Sequence, residues 1–157
     1  MAEAQPESSF DVQPGTRGQS NAIAALTGPV ARFMYALPFL MFGVMHFMNA
    51  QQMSGMVPDW LPAANFWVYL TGVALIAAAI AIASNRLIQL AGMLLAVLLL
   101  SFVFTIHLPG VLAGGEGVAA SLTNLLKDTA LAGGALMAAR YASHHGEETS
   151  GTAERTT

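Results

Sequence analysis

The chain has 157 residues, 55% of them hydrophobic and 10% charged, with a net charge of −3. A soluble domain carries roughly 25% charged residues, so this composition excludes a water-solvated globule, and six scattered Lys and Arg side chains exclude a nucleic-acid partner. Cysteine is absent, which removes disulfide exchange, thiolate nucleophiles, Fe–S clusters and covalent haem attachment from the chemistry of this chain.

Residues 1–28 are rich in Gln, Ser, Gly and Pro and have no basic stretch leading into an apolar core. They read as a disordered tail and not as a cleaved signal peptide. No Asp, Glu, Lys or Arg occurs between Arg32 and Asp59, between Asp59 and Arg86, or between Arg86 and Glu116. Each gap exceeds the about 20 residues that cross a bilayer's hydrocarbon. Spans are therefore expected at 33–48, 66–83 and 87–108, the first kinked at Pro38. Between the first two lies HFMNAQQMSGMVPDWLP, too short and polar to span yet, with Met53, Met56 and Trp60, too apolar for a free aqueous loop. It is expected to lie along the outer interface as a short helix ended by Pro58, covering the mouth between spans one and three. The third span is expected to end before Pro109-Gly110, and the glycine-rich PGVLAGGEGV forms a second rim. A fourth span, 118–139, is less apolar because Lys127 and Asp128 lie inside it. Residues 142–157 read as another disordered tail, with His144 and His145 solvated.

Backbone groups in lipid must be bonded within their own segment, so the spans are helices. Short connections make sequential helices antiparallel neighbours. The expected fold of the domain, 29–141, is all-α: a transmembrane four-helix bundle, up-down-up-down, with a short interfacial segment between spans one and two. Gly72, Gly92 and Gly133-Gly134 allow close helix approach. Arg32, Arg86 and Arg140 fall at one side and Asp59 and Glu116 at the other. By the positive-inside rule this is a multi-pass protein of the cytoplasmic membrane with both termini cytoplasmic, Trp60 and Trp67 at the outer interface and Tyr35 and Tyr141 at the inner one.

Four ionisable residues lie within or at the ends of the spans: His46, His107, Lys127 and Asp128. Helical side chains lean toward the helix N-terminus, so the histidines on outward-running spans and the pair on the inward-running span lean toward one depth. Asn124, Lys127, Asp128 and Leu131 share a helix face by their spacing, as do Phe39, Gly43 and His46, with Gly43 leaving room beside the histidine, and Leu100, Phe104 and His107. Lys127 and Asp128 could simply neutralise each other and hold span four in register. Apolar packing would serve stability alone better, and an intramembrane charge costs several kcal/mol unless paired or wet. The residues therefore point to a ligand or proton-handling cluster of His46, His107, Asn124, Lys127 and Asp128 beneath a cover of Met53, Met56 and Trp60. No metal-ligand set is expected.

RFMYALPFLMFGVMHFMNAQQMSGMVPDWLP, WVYLTGVALIAAAIAI, SNRLIQLAG, FTIHLPG and LLKDTALAGGALMAA together resemble the DoxX family of small four-span prokaryotic membrane proteins. The likeness covers about 29–141 and marks Gly43, His46, Pro58, Trp60, Pro62, Gly72, His107, Lys127 and Asp128 as motif positions without giving them roles. It implies a redox-associated membrane protein, since the family takes its name from a subunit of thiosulfate:quinone oxidoreductase and some relatives are implicated in thiol redox balance.

Two functions compete. The first is a quinone-interacting subunit of a membrane oxidoreductase, whether or not itself catalytic, in which Lys127 donates to one quinone oxygen, His46 or His107 to the other, and Asp128 orients the donors or passes protons. A partner subunit with a flavin or metal would then supply electrons. The second is a non-catalytic scaffold or lipid-binding protein, alone or as a homo-oligomer. Use of His46 and His107 as axial ligands of a b-type haem is disfavoured, because two histidines in four spans coincide easily by chance.

Overall fold

The computed structural model describes the backbone of residues 14–154 and the side chains of residues 28–142. Over that range the chain is all-helical, without a strand: α1 (Pro14–Met48), α2 (Ala50–Ser54), α3 (Ala64–Ala83), α4 (Ile88–Phe102), a five-residue π turn (Val103–His107), α5 (Leu108–Ala113) and α6 (Val118–Glu154). Three stretches, Gly28–Met48, Ala64–Ala83 and Ile88–Ala113, are long and apolar enough to cross a membrane. Their outward faces carry exposed Met34, Val97 and Phe104, a surface suited to lipid and not to water. α6 is also long, but Asn124, Lys127 and Asp128 interrupt its apolar half and keep it out of that set.

The two terminal segments expected as tails are described in their backbone only over 14–28 and 142–154. Helix covers 14–28 and 142–154, because extending a helix whose nucleus already exists needs only favourable propagation. Residues 1–13 and 155–157, and the side chains of 143–154 with His144 and His145, lie outside the described residues. Pro29 and Pro38 lie inside α1 without ending it.

The core is made of two closely packed helix pairs. Gly43 of α1 lies against Ile76 of α3, and Phe47 against Gly72, so α3 runs antiparallel to α1. A methyl on Gly43 would fall 2.9 Å from the carbonyl oxygen of Gly72, too close for any side chain. Gly43 therefore makes room for α3; the room beside His46, expected from Gly43, comes from Gly72, where a methyl would sit 3.1 Å from His46 Cβ. In the second pair, a methyl on Gly92 of α4 would lie 2.5 Å from the carbonyl oxygen of Ala135 on α6. Phe39, Leu75, Ile82, Leu95, Leu99 and Ala135 fill the centre between the pairs.

α1 and α6 meet differently. Among the described residues their backbones stay apart, and side chains bridge the gap. Tyr35, expected at the inner interface, is turned into this seam: its hydroxyl donates to the Leu131 carbonyl oxygen, and its ring rests on Gly134.

Two boundaries differ from expectation. The short helix after α1 ends at Ser54 and not at Pro58, and an irregular corner follows, closed by Trp67 Nε1 donating to Pro62 O at 2.9 Å. Span three does not stop before Pro109. The helix continues to Ala113 because Pro109 falls in the first turn of α5, where its missing N–H costs little. The chain leaves α5 through Gly114 and Gly115, with φ of 72° and 83°, values that glycine adopts without strain.

Candidate functional site

His107 is aimed by the π turn that contains it. In an unbroken α-helix, eight steps of 100° would leave it about 80° away from the direction of Leu99, near Leu100 and Phe104. That is the face expected from spacing alone. The Leu108 N–H instead donates to Val103 O, five residues back. These wider turns rotate less per residue and swing His107 back toward the buried line of Leu99 and Val103, while Phe104 stays 64% exposed. The imidazole then reaches α6, where His107 Nε2 lies 3.0 Å from Asp128 Oδ2.

Asp128 is the only buried charged or polar residue among those described. Its second oxygen, Oδ1, lies 3.4 Å from Lys127 Nζ. The ammonium also donates to Asn124 Oδ1 at 3.1 Å, one turn earlier on α6, and sits 4.5 Å from the centre of the Phe42 ring on α1. Taking a carboxylate out of water costs several kcal/mol, which the hydrogen bond from His107 and the ion pair with Lys127 only offset. The terms nearly cancel, so the cluster adds little net stability.

His46 stands across the seam. Its Nδ1 is 2.7 Å from the carbonyl oxygen of Phe42, one turn back on α1. A carbonyl only accepts, so Nδ1 carries the proton and donates. Neutral His46 therefore presents a lone pair at Nε2, on the far side of the ring from its own backbone.

A cavity of about 620 Å³ joins these groups. His46, His107, Asn124, Lys127 and Asp128 all line it, and so do Met53, Met56 and Trp60 of the corner between α1 and α3. Direct bonds link Asn124, Lys127, Asp128 and His107; His46 faces the same space with no direct bond to them. Leu75, Leu98, Leu99 and Phe102 supply the apolar wall. Among the lining residues that do not stand out in the sequence are Phe42, Thr71 and Thr105. Phe42 was the one within reach, since it lies four residues before His46, where a helical side chain meets the carbonyl below it. Thr71 and Thr105 carry no signal that separates them from other hydroxyl residues of apolar helices.

Residues 35–119, more than half of the chain, match the family model described as Domain of unknown function (DUF8561). The matched stretch takes in both histidines and the cover and ends before Asn124. No curated protein and no solved structure matches the chain.

Proposed function

The chain belongs to the DUF8561 family, and we propose from the chemistry of its cavity that it binds a quinone-class molecule within the membrane, as the quinone-side subunit of an oxidoreductase complex. One observation carries this reading: an apolar chamber of about 620 Å³ ends on a bonded row of polar groups, Asn124, Lys127, Asp128 and His107. A quinone has an apolar body and a head with two oxygens that need partners, and sites for such molecules pair apolar walls with a few fixed polar groups. Met53, Met56 and Trp60 form an adaptable lid of the kind that accepts varied apolar shapes. The small net stability of the cluster supports a ligand role over a purely structural one. A partner subunit bearing a flavin or a metal exchanges the electrons.

In this reading α6 is a fourth span, its charges sheltered in the seam, and the helices form an up-down-up-down bundle in the cytoplasmic membrane with both termini inside. Kinship with the DoxX proteins belongs to the same proposal and rests on the motifs quoted above.

The test is thermal unfolding of the purified protein in detergent, with and without a short-tailed benzoquinone and its hydroquinone. Saturation at 100 times Kd should stabilise the native state by about 2.7 kcal/mol. Thr71→Trp, which puts a large ring into the chamber from α3, should abolish the shift. A wild-type protein unmoved by either redox form overturns the proposal.

A further inference from the structure

We infer that the site selects the reduced, dihydroxy form of its ligand over the oxidised quinone. This rests on the quinone-class reading and deepens it by assigning a redox state. The inference follows from counting the hydrogen-bonding capacity that the protein leaves unused at the cavity's polar end. Lys127 donates to Asn124 Oδ1 and is held by the Asp128 carboxylate at 3.4 Å, with its ammonium 4.5 Å from the centre of the Phe42 ring. His107 donates its Nε2–H to Asp128 Oδ2. The Thr105 hydroxyl donates to Ser101 O, and the Ser101 hydroxyl to Leu98 O, both at 2.6 Å. His46 donates through Nδ1 to its own helix.

Among the described residues no protein donor meets the lone pair of His46 Nε2, which the bond at Nδ1 fixes in place. Asn124 keeps its amide N–H groups, because its oxygen is held by Lys127, and the Thr71 hydroxyl can serve either role. The unused groups therefore include an acceptor as well as a donor. A quinone carbonyl can meet the Asn124 amide, but its second carbonyl would set a lone pair against the lone pair of His46. A hydroquinone satisfies both ends: one hydroxyl donates to His46 Nε2 and the other oxygen accepts from Asn124. Sites built around a ligand hydroxyl discriminate against analogues that lack it, because a buried partner is then left unpaired.

The experiment uses the full chain in lipid nanodiscs and calorimetric titration under anaerobic conditions, with three probes: a short-tailed benzoquinone, the matching hydroquinone, and the hydroquinone dimethyl ether. The hydroquinone should bind about tenfold tighter than the quinone, the scale of one neutral hydrogen bond. The dimethyl ether, with the same ring and no hydroxyl, should bind no better than the quinone. His46→Phe should bring hydroquinone and quinone to within about threefold of each other. Equal wild-type affinity for the two redox forms, an ether that binds as tightly as the hydroquinone, or a preference that survives in His46→Phe overturns the inference and leaves the quinone-class reading standing. Binding of none of the three probes removes both.

Discussion

Asp128 answers two donors at once, His107 through Oδ2 and Lys127 through Oδ1, while its side chain is only 6% exposed. Removing it leaves the His107 N–H without its acceptor and Lys127 with Asn124 alone. Asp128→Ala should therefore cost about 1–3 kcal/mol, the scale of leaving one buried polar group without its partner. Lys127→Met should cost less, because the ammonium is 37% exposed and Asp128 keeps its bond to His107. Lys127→Met combined with Asp128→Ala should lose less than the sum of the two single changes, which a double-mutant cycle of denaturation in detergent will read; strict additivity would show that the two residues do not act as a pair. At this scale the site was legible where charge is rare. Lys127 and Asp128 stand out in an apolar run, and i, i+3 spacing ties Asn124 to Lys127. The ring of Phe42 beneath the ammonium was not legible, since a phenylalanine in a span reads equally as core, lipid face or cation partner until the helices are packed. The same holds for Tyr35, whose bond to Leu131 O crosses between helices far apart in sequence.

The π turn makes the largest difference between a periodic reading and the folded element. A 3.6-residue period put His107 with Leu100 and Phe104, and nothing in the letters VFTIH announces a wider turn. Pro109 was readable as punctuation, but it marks the start of α5 and not the end of the span. Such a turn is equivalent to one residue inserted in an α-helix, so deleting Phe104, which is exposed, should be absorbed by a return to regular α geometry. His107 and α5 would keep their direction, and hydroquinone binding should remain within about threefold of wild type by titration. Deleting Val97 from the regular part of α4 should instead rotate the following turn by about 100°, take Leu99 out of the core and abolish binding. The glycine contacts offer a simpler case. Gly92→Ala forces a methyl against the Ala135 backbone and should cost about 1–3 kcal/mol, the usual scale of overpacking, measured as a lower midpoint of unfolding. These glycines were visible as small residues in spans; which helix each one faces was not.

For the whole molecule, apolar length alone made the three clear spans and the all-helical fold readable in the sequence, because no other backbone form satisfies itself in lipid. α6 was the harder segment, since the residues that give it chemistry also lower its hydropathy. The proposed threading is testable in the cysteine-free background: single cysteines at Ser54 and Gly114 should react with an impermeant thiol reagent on intact cells, and cysteines at Asn85 and Ser150 should not. The reverse labelling pattern would turn the topology over. One consequence reaches beyond the ligand. Among the described residues α1 and α6 share no close backbone contact, and Tyr35 ties them near Leu131 while the cavity reaches the corner that carries Met53, Met56 and Trp60. Such a seam is pinned at one level and compliant above it, so the lateral pressure of the surrounding acyl chains acts directly on the width of the chamber. Affinity should then vary with acyl-chain length and unsaturation in nanodiscs of otherwise constant composition, and the bilayer becomes a mechanical effector of the site.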